Sequence, residues 1–388
     1  MVREIYFDSA STTKVYPQVI KEMNKCMLYD YGNPSSAHAL GDNASKLIVS
    51  ARTNIARVIG VKPHEIYFTS GTTESNNWIF SGLAHSNPGK KKIIISSIEH
   101  PSIRETANLF KNWGYQIIEI PVDSQGFVDL EFIKKNIGKD VLFVSVIHGN
   151  NIFGTIQNLK KIGDICKKNG VFFHTDAAQA IGKIPFDVKE NNIDLVSFTA
   201  HKFYGPKGIG ALFIKKKPKQ IKIIPQMLGG GHENGLRSGT LNVPGIVGFG
   251  KSAEICNRII LEESKNIERF RNKLYKGIVT HLNGIKLNGS LNDRLPNNLN
   301  ISIDGIKSES FILEMKDIAV SAGAACSSES LKPSHVLLAI GKSKEEAQSS
   351  IRFGLGRFNT EEEVDYTIRR VVEAVEKLRS VSPTYSRN

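Results

Sequence analysis

The sequence predicts an α/β protein that has a large domain with a mainly parallel sheet and a smaller α+β domain. Between about residues 65 and 215, short apolar runs rich in β-branched residues alternate with amphipathic stretches. This alternation is typical of parallel sheets that carry helices on their faces. From about residue 250, a long charged helix pattern precedes shorter strand and helix patterns. The length of 388 residues allows two or three domains, so we predict a second domain in this region.

The large domain is predicted from the apolar runs and the helix patterns between them. The strand candidates are residues 66–69, 93–96, 116–120, 141–147, 171–175, 195–199 and 210–214. Helix candidates follow several of them, at residues 102–113, 130–137 and 159–169.

The smaller domain is predicted from the last third of the chain. A long helix over residues 246–278 leads into strands at 284–287, 298–303 and 351–354, helices at 308–315 and 361–381, and a small-residue loop at 321–330. We expect residues 12–255 to form the large domain, and residues 1–11 together with 256–388 to form the small one.

Composition excludes several classes of protein. The net charge is +13, but the lysines are widely spread and no aromatic-interleaved basic motif accompanies them, so we do not expect direct nucleic-acid binding. No apolar run is long enough to span a membrane, and the charged N-terminal segment does not resemble a secretory signal, which predicts a cytoplasmic protein. The four cysteines form no CxxC pair, so no metal site is expected.

Polar residues follow four of the strand candidates directly. These segments are residues 70–73, 148–151, 176–179 and 200–202. Since ligands of open α/β sheets bind at the carboxyl ends of the strands, we expect these segments to line a single crevice.

The crevice residues have the properties that pyridoxal phosphate requires. Thr72 and Thr73 follow a strand at a helix start, where free N–H groups bind phosphate, although the same residues would also serve as an ordinary helix cap. Asp176 could pair with a cationic ring nitrogen or cap a helix. Lys202 directly follows an apolar strand, and a desolvated lysine can form a Schiff base with an aldehyde. Thr199, beside it, could donate to the same phosphate, as could His201.

The motifs resemble, in their order, those of the cysteine desulfurases of the class V aminotransferase family. The group that serves iron–sulfur cluster assembly and nitrogenase maturation is the most similar. The resemblance runs from Tyr6 to about Leu378 and rests on SGTTES, Glu99-His100, HGNN, HTDAAQ, TAHKFYGPKGIG, GGGHENGLRSGT, SAGAACSSES and SIRFGLGRF. It implies the fold of type I pyridoxal-phosphate enzymes, with a seven-stranded sheet in the large domain.

The resemblance also implies a role for individual residues around the cofactor. His100 would stack on the pyridine ring and shuttle protons, while Asp176 would pair with the ring nitrogen and Gln179 with the ring hydroxyl. Lys202 would be the Schiff-base lysine. The cofactor phosphate would be bound by Thr72, Thr73, Thr199 and His201. Thr240 would reach the phosphate of the cofactor in the other subunit, which implies a homodimer.

The substrate implied is L-cysteine. Asn151 and Arg352 would hold its carboxylate, with Asn151 also next to the cofactor, and Asn33 would lie nearby. Cys326 would be the nucleophile that receives the sulfur as a persulfide. Its small-residue segment predicts a mobile loop, whereas Cys26, Cys166 and Cys256 lie in helix-like stretches and are expected to be buried and unreactive.

The sequence departs from the family pattern at residue 152 and near the C-terminus. Ile152 stands where many relatives have glutamate, and the chain ends soon after Pro383. The resemblance implies a sulfur-acceptor partner, such as an iron–sulfur scaffold or a tRNA-thiolation enzyme, but does not identify it. A selenocysteine lyase, an aminotransferase for small amino acids and a non-catalytic sulfur-relay scaffold are the alternatives.

Overall fold

A computed structural model of the protein describes residues 4–217, 221–323 and 333–381. Two 3₁₀ turns, Pro63–Glu65 and Ala200–Lys202, accompany the strands and α-helices. In chain order, these are β1 (Ile5–Tyr6), α1 (Pro17–Tyr29), α2 (Ala39–Val58), β2 (Ile66–Thr69), α3 (Thr72–Ser86), β3 (Lys92–Ser96), α4 (Pro101–Asn112), β4 (Gln116–Ile120), α5 (Leu130–Asn136), β5 (Val141–Ser145), α6 (Leu159–Asn169), β6 (Phe172–Asp176), β7 (Leu195–Thr199), β8 (Gly210–Ile214), α7 (Val243–His281), β9 (Ile285–Leu287), β10 (Asn298–Ile303), α8 (Ser308–Glu314), β11 (Ile318–Ala319), β12 (Ser321–Ala322), α9 (His335–Ala339), α10 (Lys344–Gln348), β13 (Ser350–Gly354) and α11 (Glu361–Ser380).

The large sheet has seven strands in the order β2-β8-β7-β6-β5-β3-β4. All of its pairings are parallel except the two that β8 makes with β2 and β7. The predicted class of a mainly parallel seven-stranded sheet is therefore confirmed. Strands β5, β7 and β8 are buried along their whole length, as the continuous apolar runs predict for a sheet covered on both faces.

Helices cover both faces of the sheet and complete two apolar cores. One core joins strand side chains such as Phe173 to α2, α6 and the first part of α7. The other joins Trp78 and Phe80 of α3 to Phe110 of α4 on the opposite face. Side-chain caps define several helix starts, since Asp129, Asn158 and others accept a backbone N–H in the first turn.

The C-terminal part of the chain forms a separate, smaller core. An antiparallel sheet of four strands, in the order β12-β13-β10-β9, packs against α8, α11 and the second part of α7. The N-terminal strand β1 pairs with β11, so the chain start belongs with this part of the protein. The predicted domain boundaries, at residues 11 and 12 and at residues 255 and 256, stay predictions.

Helix α7 connects the two cores without a break over its 39 residues. Its buried residues up to Cys256 pack into the large core, and those from Ile267 onward pack into the small one. No helix in the described part of the chain has both the length and the apolar composition needed to cross a membrane.

Most predicted elements are present with ends shifted by a few residues. The long helix begins three residues earlier than predicted, at Val243, because Asn242 caps it, and it continues to His281. Helices α1 and α2 were not among the predicted elements. The predicted loop at 321–330 begins instead with the short strand β12, which pairs with β13, and residues 324–330 of that loop lie outside the described residues.

Candidate active site

A cavity of about 530 Å³ lies at the carboxyl ends of the parallel strands. The segments that follow β2, β3, β5, β6 and β7 meet there, because parallel strands end at the same edge of the sheet. Ten predicted site residues line this cavity: Thr72, Thr73, His100, Asn151, Asp176, Gln179, Thr199, His201, Lys202 and Arg352.

One end of the cavity is formed by the start of α3. Thr72 and Thr73 are its first residues, so their backbone N–H groups have no acceptor within the helix. The Thr72 hydroxyl is buried, and no described residue hydrogen-bonds to it. Strand β8 approaches this turn closely, since a side chain at Gly210 would place its Cβ 2.6 Å from the Cα of Gly71.

Basic groups lie beside the start of α3. His201, Lys202 and Lys207 all line the cavity. Burial, together with the neighbouring lysines, lowers the pKa of His201 to about 4, so its ring is neutral near pH 7. Thr199 also lines the cavity, but its hydroxyl donates to the carbonyl of Ile209 at 2.9 Å. That hydroxyl must rotate before it can donate to a phosphate.

Asp176 ends strand β6 and is buried. Its Oδ2 accepts a hydrogen bond from Asn76 Nδ2 at 2.9 Å, and its Oδ1 accepts from the backbone N–H of Ala178 at 3.0 Å. A buried carboxylate in this position is suited to hold a protonated ring nitrogen, because it offers negative charge in a site of low polarity.

Lys202 lies in the 3₁₀ turn that follows β7. Its Nζ donates to the carbonyl oxygens of Ala10 and Ser11, at 2.8 and 2.6 Å. These carbonyls belong to the segment after β1, which therefore positions the amine in the cavity.

Gln179 connects the cavity wall to a buried lysine that was not among the predicted site residues. The amide Nε2 of Gln179 donates to Ala10 O at 2.8 Å, and its Oε1 accepts from Lys183 Nζ at 3.0 Å. Burial, aided by Lys202 and Arg352, lowers the pKa of Lys183 to about 7. Because Lys183 occupies the oxygen of the amide, the NH₂ group is the end of Gln179 that a ligand would meet.

Arg352 reaches the cavity from β13 of the small core and is almost fully buried. Its Nη2 donates to Asp8 Oδ1 at 3.0 Å and to Ser11 Oγ at 2.6 Å. Its Nη1 donates to the backbone oxygen of Asn151 at 2.9 Å, while Nε is buried with no partner among the described residues. A buried guanidinium with a spare donor is well suited to bind a carboxylate.

Two predicted site residues, Asn33 and Thr240, do not line this cavity. They lie together at another, smaller pocket of about 330 Å³. Cys326 falls outside the described residues. The other cysteines are buried, as predicted, and burial raises the pKa of each of these thiols, to about 12 for Cys256.

Ile152 does not line the cavity either. Its side chain is buried in an apolar cluster with Phe153, Val336 and Leu337. This departure from the family pattern therefore lies outside the wall of the cavity, because the side chain packs against α9.

Sequence reasoning missed several residues of the site, namely Asp8, Ser11, Asn76, Lys183 and Lys207. For two of them, the spacing from a predicted site residue could have indicated a place in the site. Lys183 stands four residues after Gln179, and Asn76 stands three residues after Thr73, spacings that place residues on the same side of a helix or turn.

The described residues fit pyridoxal phosphate. The buried, unpartnered Thr72 hydroxyl lies at a helix start beside basic groups, where a phosphate would be bound. Lys202 offers an amine, and Asp176 offers a buried carboxylate to a ring nitrogen. Among the described residues, no cluster of His, Cys, Asp and Glu could hold a metal ion.

Comparison with known proteins places the chain among similar enzymes over nearly its whole length. The profile of the family described as Aminotransferase class-V matches residues 5–367. Proteins named cysteine desulfurase IscS are similar, with 45% identity in Anaeromyxobacter dehalogenans and 43% in Pseudomonas aeruginosa. Each alignment covers 98% of this chain and 95% of the relative.

Solved structures are also similar to this chain over nearly its whole length. A NifS-like protein superposes with a TM-score of 0.90 at 40% identity, covering 96% of this chain and all of that one. A NifS-like protein from Rickettsia africae has a TM-score of 0.84 at 34% identity, covering 97% of this chain and 100% of its own. A structure described as SspA in complex with cysteine has a TM-score of 0.82 at 32% identity, covering 92% and 100%.

Proposed function

Since the chain belongs to the class V aminotransferase family, we propose that it is a pyridoxal-phosphate-dependent cysteine desulfurase. It converts L-cysteine to L-alanine and transfers the sulfur to Cys326 as a persulfide. The observation that carries the proposal is the cavity in which Lys202, Asp176 and Arg352 meet. The relatives named cysteine desulfurase support the choice of reaction within the family.

The cavity residues account for binding of an amino acid. Arg352 binds the substrate carboxylate through its unpartnered Nε, with Asn151 beside it. Asp8 and Ser11 hold the guanidinium in place, so that little side-chain freedom is lost when the substrate binds.

The chemistry divides between the cofactor and the protein. When bound, pyridoxal phosphate supplies an aldehyde that condenses with amines and a ring that withdraws electrons from the α-carbon. Asp176 keeps positive charge on the ring nitrogen. Lys202 holds the cofactor between turnovers and moves the proton at the α-carbon, a role that requires its amine to be neutral.

Sulfur transfer requires a thiolate. The Cys326 thiolate attacks the sulfur atom of the substrate, so that an S–S bond forms and the C–S bond breaks. The electron pair of the C–S bond stays with the carbon skeleton, which takes up a proton and leaves as alanine. The net conversion is L-cysteine plus enzyme thiol to L-alanine plus enzyme persulfide.

Incubation of the cofactor-loaded enzyme with L-cysteine tests the proposal. Mass spectrometry should find a gain of one sulfur atom on the peptide that contains Cys326, and alanine should appear in solution. Cys326→Ser should retain the bound cofactor and lose both signals, whereas the matched variant Cys26→Ser should keep them. Alanine production by Cys326→Ser at the parental rate would contradict the acceptor role, and amino transfer to a keto acid would indicate an aminotransferase instead.

The proposal includes a homodimer. The pocket of Asn33 and Thr240 adjoins a group of exposed apolar side chains, which would be covered in a dimer: Met27, Leu28, Tyr29 and Tyr31. In such a dimer, Thr240 would reach the cofactor phosphate of the second subunit. Sedimentation analysis should give a dimer, and Tyr29→Glu should weaken it.

The persulfide needs an acceptor protein. In keeping with the relatives named IscS, we propose that the sulfur passes to an iron–sulfur scaffold, and tRNA thiolation is a second destination. We place the reaction in the cytoplasm, where free thiols stay reduced. Transfer of ³⁵S from labelled cysteine to a candidate scaffold would identify the acceptor.

A further inference from the structure

A chain of hydrogen bonds connects Asp176 to His100 beneath the cavity. Asp176 Oδ2 lies 2.9 Å from Asn76 Nδ2, and the same nitrogen lies 2.8 Å from Ser102 Oγ. Ser102 Oγ in turn lies 2.8 Å from His100 Nδ1. Asp176 and the two connecting residues, Asn76 and Ser102, are buried and therefore shielded from water.

The direction of each hydrogen bond follows from the donors available. The carboxylate of Asp176 can only accept, so the amide NH₂ of Asn76 faces it. The second hydrogen of that NH₂ group points to Ser102 Oγ, which therefore accepts. With that lone pair occupied, the hydroxyl hydrogen of Ser102 is directed to His100 Nδ1.

The start of helix α4 supplies a second donor to the same ring nitrogen. His100 is the N-cap residue of α4, and its Nδ1 accepts the backbone N–H of Ser102 at 3.1 Å. A hydrogen on Nδ1 would clash with the hydrogen of this backbone N–H. Two donors therefore converge on Nδ1, which must be unprotonated to accept them.

We infer that Asn76 and Ser102 are positioning residues that hold His100 as the neutral tautomer with its hydrogen on Nε2. The ring then meets a molecule in the cavity as an N–H donor, because Nδ1 is already occupied.

The electrostatic surroundings favour the same state. The charged groups that face the ring are Asp176 and Lys202, with opposite effects on its protonation. Burial is the largest influence on the ring and lowers the pKa of His100, which favours the neutral imidazole. A neutral histidine at a helix start, acting as a donor, is an established arrangement in enzymes.

The tautomer limits the role of His100 in the reaction, a consequence that rests on the proposed function. A neutral ring with a hydrogen on Nε2 cannot remove the α-proton through that nitrogen, so this proton is left to Lys202. His100 instead donates a hydrogen bond to an acceptor atom of the ligand. This restricts the proton-shuttle role that the family resemblance implies for this residue.

Long-range ¹H–¹⁵N correlation spectra of ¹⁵N-histidine-labelled protein report the tautomer directly. The signals of His100 are assigned by their loss in His100→Gln, and the spectra are recorded on the loaded and the cofactor-free protein near pH 7. Both should show Nε2 protonated and Nδ1 unprotonated. A hydrogen on Nδ1, or on both nitrogens, would overturn the inference. The measurement needs no turnover, so it stands even if the protein proves not to be a desulfurase.

Two variants of Ser102 test its role as a donor to His100. Ser102→Ala removes the hydroxyl donor, so the protonation constant of His100 should rise by up to about tenfold. Ser102→Thr keeps the hydroxyl and should restore the parental titration. The matched variant Thr106→Val removes a neighbouring buried hydroxyl of α4 and should have no effect on the titration. That hydroxyl donates to the Asn77 side chain and to the backbone carbonyl of Ser102, but not to the His100 ring. An unchanged titration in Ser102→Ala would refute the role assigned to Ser102.

Discussion

Lys183→Met should stabilise the protein near neutral pH, and by an amount that falls as the pH rises. Lys183 is buried, and its pKa is lowered from 10.5 to about 7, chiefly by burial. The unfolded chain therefore binds more protons than the folded chain between these two pH values. The stability of the parent consequently rises with pH across this window, whereas a methionine has no charge to bury.

The size of the effect follows from the two pKa values. At about pH 7, the lowered pKa of Lys183 costs the folded state on the order of 4 kcal/mol, and at about pH 9.5 on the order of 1.5 kcal/mol. Substitution also leaves Oε1 of Gln179 without its donor, which costs about 1–3 kcal/mol at either pH. We therefore expect a net stabilisation of about 1–3 kcal/mol near pH 7 that shrinks by about 3 kcal/mol at pH 9.5.

Urea unfolding of the cofactor-free protein, followed by tryptophan fluorescence, measures the stability difference between Lys183→Met and the parent at about pH 7 and about pH 9.5. The cofactor is left out because binding to the native state alone would add its own stabilisation. Lys160→Met is the matched control, since Lys160 is half exposed and its substitution should give no comparable pH dependence. If the stability difference between Lys183→Met and the parent is the same at both pH values, the reasoning from burial is wrong.

Three further outcomes are expected. Arg352→Lys should raise the KM for L-cysteine about 10- to 100-fold with a smaller effect on kcat, because an ammonium lacks the spare Nε donor; steady-state kinetics would check this. Glu74→Gln should lower the free energy of unfolding by about 1–3 kcal/mol, because Glu74 accepts two largely buried hydrogen bonds from Arg237. Glu131→Gln, in an exposed ion pair, is the control and should cost less than about 0.5 kcal/mol in the same urea titration. In Cys326→Ser, the remaining thiols of Cys26, Cys166 and Cys256 should react slowly with iodoacetamide near pH 7, because burial raises their pKa and keeps them protonated. A fast-reacting thiol in this variant would contradict the effect of burial on these cysteines.

The strands and the polar strand ends could be predicted because both are local properties of the sequence. A run such as residues 195–199 is apolar throughout since it is buried on both sides, and this pattern needs no knowledge of the neighbours. The order of parallel strands then brings Thr72, Asp176 and Lys202 to the same edge of the sheet. Helices α1 and α2 were missed, and both have exposed apolar residues, such as Leu28 and Val49, that blur the helix pattern.

Contacts between distant segments could not be predicted. Arg352 and Asp8 are 344 residues apart in the chain, and they meet because Asp8 forms a parallel bridge with Gly354 at the end of β13, next to the pairing of β1 with β11. Likewise, the sequence does not reveal that Ile152 is covered by α9. Such contacts depend on how elements pack, and periodicity within one element carries no information about its partner.

The sequence by itself determined the fold class, the family and ten residues that line the cavity, because these rest on local patterns and on motifs in a defined order. The tertiary structure decided which groups hold those residues in place. Lys183 donates to the oxygen of Gln179, and the backbone N–H of Ser102 donates to Nδ1 of His100, so the orientation of each side chain is set by a neighbour that no motif identifies. The physical reason is burial: once water is excluded, most polar atoms are paired within the fold, and packing decides which partner each one has.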